Sequence, residues 1–222
     1  ELFRSFGRFI EGLGGRYITA EDVGTSIKDM DYVRMETKYV TGISKSFGGS
    51  GDPSLLTAYG TYLGIKACVK FKFKKNSLNG LSIAIQGLGS VGMELVRYLA
   101  NDDMKIFACD IDEDIVDIAV EKYNVIKVDP DEIYNQDIDI YAPCALGATI
   151  NNETIPKLKC SIVAGAANNV LKDPHKHSKN LMDKGILYAP DYAINAGGLI
   201  NVYNELEGYN KERAFSQAEA IY

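Results

Sequence analysis

Apolar residues recur at helical spacing in the first turns of the chain. Leu2, Phe3, Phe6, Phe9, Ile10 and Leu13 share one face, and Gly14-Gly15 supplies the stop. Tyr17 to Thr19 is a short β-rich run, Asp22-Val23-Gly24 a loop, and Ser26 to Glu36 a second amphipathic helix. The Gly- and Ser-rich stretch from Gly42 to Pro53 predicts a crossing between domains. Pro53-Ser54 then opens a helix, Leu55 to Lys72, with an apolar face through Leu56, Tyr59, Leu63 and Ala67.

Past a turn at Ser77 to Gly80 the pattern changes to short apolar runs alternating with helical periods. Strands are predicted at Leu81–Gln86, Ile106–Cys109, Ile138–Ala142, Ser161–Ala164 and Ile186–Ala189, and helices at Ser90–Leu99 and Glu113–Tyr123. Continuous apolar strands separated by amphipathic helices imply a parallel sheet covered on both faces. The segment from Gly198 onward is helical in pattern, with a break near Gly208. The expected fold is therefore α/β, doubly wound, with residues 42–222 as the sheet domain and its returning helix, and residues 1–41 as a piece of a second α/β domain.

Composition narrows the chemistry. Hydrophobic residues make up 46% and charged residues 24% of the 222, which suits a water-soluble globular chain. The net charge of -6 argues against a nucleic-acid partner. The Lys70–Lys75 run (KFKFKK) fits the end of a helix, where cations complement the dipole. Cys68, Cys109, Cys144 and Cys160 are far apart and form no CxxC, and His175 and His177 have no cysteine beside them, so neither metal nor disulfide framework is expected. No apolar run reaches the roughly 18–20 residues of a membrane span, and the composition suits a reducing cytoplasm. No signal-peptide pattern opens the chain, and Glu1-Leu2-Phe3 reads as the interior of a longer protein.

The sharpest motif is Gly87-Leu88-Gly89-Ser90-Val91-Gly92. By itself G-x-G-x-x-G says little, but here it follows a predicted strand and opens a predicted helix. Gly87 permits the tight turn, Gly89 removes a side chain where backbone meets pyrophosphate, and Gly92 lets helix and strand pack closely. The helix N-terminus offers free N–H groups to phosphates. Asp110, 23 positions past Gly87, follows the second strand, where an acid accepts hydrogen bonds from the adenosine ribose. A carboxylate there repels a 2′-phosphate, and Ile111 to Asp114 hold no arginine, so NAD is favoured over NADP. Asp112 is the expected cap of the helix at Glu113.

Three further stretches are specific. Gly15-Arg-Tyr-Ile-Thr-Ala-Glu-Asp-Val-Gly24, Tyr141-Ala-Pro-Cys-Ala-Leu-Gly-Ala-Thr-Ile150 and Tyr188-Ala-Pro-Asp-Tyr-Ala-Ile-Asn-Ala-Gly-Gly198 resemble the glutamate, leucine, phenylalanine and valine dehydrogenase family, within it the branched-chain branch. The resemblance runs through essentially the whole chain. It implies a Rossmann-type domain, a remnant of a substrate and oligomerisation domain over residues 1–41, and a homo-oligomeric parent. It also implies NAD-dependent oxidative deamination of leucine, valine or isoleucine to a 2-oxo acid and ammonia.

By that resemblance Asp22 is the general acid/base at the substrate nitrogen, a task a positioned carboxylate can perform. Thr57 holds the nicotinamide carboxamide. The cofactor site also takes Leu88, Ser90 and Val91 of the loop, with Ala145, Asn168 and Asn195. Asn169 orients the polar end of the substrate, and Ala20, Thr41, Leu199 and Val202 line the substrate side. Plainer readings stand beside these: Asp22 as a turn cap near Thr25, Thr57 back-bonded in its helix, the asparagines as turn residues, Leu199 and Val202 as core.

An aliphatic wall excludes glutamate, whose distal carboxylate would lie unpaired. Leucine, isoleucine and valine differ by only roughly 1–3 kcal/mol per methylene in such a pocket. The family's Gly-Gly-Gly-Lys motif is not found in the 222 residues, so this chain is expected to bind dinucleotide without turning over. Thr41–Gly51 and the segment beyond Asn195 are the expected hinges. A phenylalanine or tryptophan dehydrogenase, and a non-catalytic NAD-binding module, are the competing functions.

Overall fold

A computed structural model describes residues 1–222. Six parallel strands form one sheet: β1 (Ser82–Gln86), β2 (Lys105–Cys109), β3 (Ile126–Lys127), β4 (Ile140–Pro143), β5 (Ile162–Val163) and β6 (Leu187–Tyr188). Their order is β3-β2-β1-β4-β5-β6, and every neighbouring pair is parallel. The order reverses between β1 and β4, the switch point of a doubly wound sheet.

Side chains alternate across the sheet as the strand period requires. Ile83, Ile85, Ile140, Ala142 and Ile162 face a core shared with α3 (Ser54–Phe73), α4 (Ser90–Leu99) and α5 (Glu113–Tyr123), which contribute Ile65, Val69, Leu95, Leu99 and Val116. Ala84, Tyr141 and Val163 face the opposite core, with Ile133, Ile155 and Leu181 of α6 (Pro174–Asp183). Both faces being dry at the centre of the sheet, β1, β4 and β5 read as largely apolar runs.

By contacts the chain divides into two units. One comprises Glu1–Leu56 and Gly197–Ala220; the other comprises Thr57–Ala196 with Ile221–Tyr222. In the first, α1 (Leu2–Gly12) packs on α2 (Ile27–Arg34) through Gly7, where an added Cβ would lie 2.8 Å from the Val33 carbonyl oxygen. Met30, Val33, Val40 and Ile43 form its small core. A capping box between Ser26 and Asp29 starts α2. Beyond the short α7 (Asp191–Ile194) of the sheet unit, the first unit also holds α8 (Gly197–Leu206) and α9 (Lys211–Glu219), broken at Gly208 with φ 77°. Their junction is polar: Asn204 is buried, donates to Gln217 at 2.7 Å and accepts from Arg213 Nε at 2.5 Å.

The predicted α4 and α5 match their observed bounds, and Asp112 caps α5 by accepting from Asp114 N–H at 3.1 Å. The lysine run ends α3 with Lys70 and Lys72 in the last turn. The structure departs from the sequence pattern in three places. The β-rich run Tyr17–Thr19 forms only a single bridge, Thr19 to Val40. The edge strand β3 was absent from the pattern because both its residues are exposed. Likewise α6 carries only two large apolar residues, Leu181 and Met182. Its signal is the Asp173-Pro174 start and two inward residues, His177 and Leu181. His177 accepts from Asp173 N–H at Nδ1 (2.9 Å), while its Nε2 lies 3.2 Å from Asn152 Oδ1, so it is a packed helix-start residue.

Candidate functional site

At the C-terminal ends of β1, β2 and β4 lies a cleft of about 440 Å³. Gly87, Gly89, Asp110 and Ala145 line it, so four residues singled out from sequence converge there. The glycine loop shows why each glycine is needed. Gly87 adopts φ 98°, and a Cβ on it would lie 2.7 Å from Ala145 N. A Cβ on Gly92 would run into the Gly87 carbonyl oxygen. At Gly89, by contrast, a Cβ would meet nothing within 4 Å. Two of the three glycines are required by the fold; the third borders open space at the N-terminus of α4, which no side chain caps. Unpaired N–H groups at such a terminus suit an anion.

Asp110 follows β2, and its carboxylate is fastened by main-chain donors. Leu88 N–H donates to Oδ2 at 2.5 Å and Asp112 N–H to Oδ1 at 3.0 Å. These bonds draw the glycine loop and the acid together while the carboxylate still borders the cleft. Leu88 itself is fully buried in the core and Val91 packs against it, so both serve the loop through their backbone. Ser90 is exposed.

On the β5 side, Asn195 Nδ2 donates to the Ala166 carbonyl at 3.1 Å and also to Asn168 Oδ1. Asn169 takes a left-handed φ of 51°, and its carbonyl accepts from Ala148 N–H at 2.7 Å. The loops after β4 and β5 therefore interlock, and the turn geometry anticipated for Asn169 is present. Thr57 lies in the first turns of α3, its carbonyl accepting from Thr61 Oγ1 at 2.9 Å.

Sequence reasoning missed several cleft residues. Ile111 is 98% exposed and Leu146 79% exposed, one beside Asp110 and the other beside Ala145. Two bare aliphatic side chains on a cleft rim are surfaces that a flat apolar ligand would cover. Their only sequence signal is an apolar residue in a loop just past a strand. Gln86, which ends β1, is held from behind by the hydroxyls of Tyr134, 2.9 Å from Nε2, and Tyr141. Burial pushes the Tyr141 phenol well up, so it stays a neutral donor.

In the other unit, Thr41 and Ala20 lie on adjoining segments. Thr41 N–H donates to the Thr19 carbonyl at 2.8 Å, with Thr41 buried and Ala20 half-buried. Asp22 is exposed; its Oδ1 accepts from Val23 N–H at 2.8 Å. The turn there is closed by Thr25, whose hydroxyl donates to the Asp22 carbonyl at 2.7 Å and accepts from Asp22 N–H at 3.0 Å. The neighbouring Glu21 has its pKa raised by burial, with Asp52 and Asp22 adding to the effect. Leu199 and Val202 stand on α8, three residues apart; Leu199 is 73% exposed and so is not core.

Fold and cleft together define a Rossmann-type α/β unit with an open glycine loop at its switch point. Comparison with known proteins gives the family. The model for Glutamate/Leucine/Phenylalanine/Valine dehydrogenase matches residues 48–221, and the chain belongs to that family. It is 56% identical over its whole length to a leucine dehydrogenase of Bacillus subtilis (strain 168), covering 61% of that protein. It is 48% identical to an L-tryptophan dehydrogenase of Nostoc punctiforme, covering 62%. The crystal structure of the L-tryptophan dehydrogenase from Nostoc punctiforme superposes with a TM-score of 0.86 at 46% identity, over 100% of this chain and 63% of that one. A hetero-hexameric glutamate dehydrogenase from Thermus thermophilus, with a TM-score of 0.79 at 21% identity and coverage of 99% and 59%, shares the fold. The chain thus spans about 60% of the length of the relatives it matches.

Proposed function

We propose that the protein carrying this chain is an NAD-dependent dehydrogenase of branched-chain L-amino acids, yielding the 2-oxo acid and ammonia. The observation that carries the cofactor assignment is the contrast among the glycines: Gly87 and Gly92 have no room for a side chain, whereas Gly89 faces open space at an uncapped helix start. That is where a pyrophosphate approaches backbone. Asp110, held by two backbone N–H groups, leaves acceptor capacity for ribose hydroxyls and repels a 2′-phosphate. Bound NAD supplies the hydride acceptor. Thr57, Ala145, Asn168 and Asn195 are assigned to its nicotinamide half.

Asp22 is assigned the proton transfers. Its exposed carboxylate takes the proton from the substrate amine and later exchanges one with the carbinolamine. Asn169, Thr41 and Ala20 are assigned to holding the substrate, while exposed Leu199 and half-buried Val202 offer its side chain an aliphatic surface. Relatives named leucine dehydrogenase at 54–56% identity support that preference. Dinucleotide binding is assigned to residues 42–222. Residues 1–41 are read as part of the substrate domain and turnover as a property of the longer protein, a cytoplasmic homo-oligomer.

The test is steady-state oxidation of a panel of L-amino acids by the full-length protein with NAD and with NADP. Leucine, valine and isoleucine are expected to outrun phenylalanine, tryptophan and glutamate, and NAD to outrun NADP. Preference for an aromatic substrate, or no turnover of any aliphatic one, overturns the reading.

A further inference from the structure

Glu205, on the last turn of α8, places its carboxylate among donors from the glycine-rich segment that follows Thr41. Gly42 N–H donates to both oxygens at 3.0 Å, Ser50 N–H to Oε1 at 2.9 Å, and Ser50 Oγ to the same oxygen. Ile43 N–H completes the ring at 3.5 Å. No cation forms an ion pair with Glu205. Gly42 takes φ 72°, which lets successive N–H groups at Gly42 and Ile43 turn inward, and Gly51 N–H closes the segment on the Ile43 carbonyl at 3.1 Å. A half-buried acid satisfied wholly by backbone and one hydroxyl is a strong, directional fastening, because charge-assisted bonds are about twice as strong as neutral ones.

Both partners lead to residues assigned to the substrate. Along α8, Glu205 lies three residues beyond Val202 and six beyond Leu199. Gly42 follows Thr41 directly and packs on Glu21, where a Cβ would come within 3.0 Å of the Glu21 Cβ. Thr41 is bonded to Thr19, and Ala20, Glu21 and Asp22 follow. All of these residues belong to one unit.

We propose that Glu205 is a positioning residue that holds the aliphatic face of α8 in register with the Ala20–Asp22 corner and Thr41, and so sets substrate selectivity without touching the substrate. The proposal rests on the amino-acid dehydrogenase reading above. Glu205→Gln replaces one acceptor oxygen by an amide that opposes the N–H donors, so the register loosens while side-chain size is kept.

In the full-length protein, Glu205→Gln is expected to raise KM for leucine by about tenfold and to narrow leucine-over-valine discrimination several-fold, since small misplacements of positioning groups carry effects of that order. The dissociation constant for NADH should stay within about twofold, because its assigned residues lie in the other unit. Unchanged KM and selectivity, or an equal loss on the NADH side, overturns the proposal. Ser50→Ala, which removes one donor, should move the same quantities less. Amide hydrogen exchange separates this idea from the functional reading. Gly42 and Ser50 N–H should be protected in the parent and exchange faster in both variants, even if leucine proves not to be the substrate. Equal exchange in parent and variants counts against the fastening itself.

Discussion

Leu88 N–H donates to the carboxylate of Asp110 across 2.5 Å, tying the loop that ends β1 to the acid that ends β2. The acid therefore shapes the glycine loop before any ligand arrives. Asp110→Asn is expected to weaken NADH binding by about tenfold or more, because a hydrogen bond to a charged group contributes roughly 1.5–3 kcal/mol. It should also relax discrimination against NADPH. Calorimetric titration with both dinucleotides checks this, and undiminished NADH affinity would count against it.

The three motif glycines should separate by phenotype. Gly92→Ala places a methyl against the Gly87 carbonyl and is expected to lower thermal stability severely. Gly89→Ala meets open space at an ordinary negative φ, so the fold should survive while NADH affinity falls. Paired melting curves and titrations distinguish them. A destabilised Gly89→Ala that still binds NADH would reverse the assignment.

Glu21 gives a pH prediction. Its folded-state pKa is raised above the ordinary 4.5 by burial and by Asp52 and Asp22, so the native protein holds that proton more tightly than the unfolded chain does. Its contribution to stability falls as pH rises from 4.5 through the raised value, and the full penalty is present above it. Glu21→Gln should raise the melting temperature at neutral pH, with the gain vanishing below the ordinary carboxylate range. A gain of the same size at both pH extremes would point to another cause.

Burial pushes all four thiols up: Cys68, Cys144 and Cys160 to about 11, and Cys109 to about 12. Thiolate being the reactive form, alkylation of the native protein near neutral pH should be slow and should quicken on denaturation. Fast native labelling of Cys109 or Cys144, both on the cleft wall, would contradict this packing.

Much of the sheet unit was legible beforehand because its signals are local. The bounds of α4 and α5 follow from a glycine N-cap, an Asp cap and a helical period within a few residues. The loop-then-acid order around Gly87 and Asp110 is likewise written along the chain. What was not legible acts at a distance or without a pattern: β3 has exposed residues only, and Ile111 and Leu146 look like any loop apolar residue until their exposure is known.

Order of elements, the glycine loop, the helix caps and the acid past β2 are properties of the chain as written, because periodicity and capping operate over one or two turns. Glu205 is different. It is one of 30 acidic residues and lies 163 positions from Gly42, and nothing local marks it. Only folding brings that carboxylate to the donors after Thr41, since the partner of a buried charge is chosen by where the backbone returns.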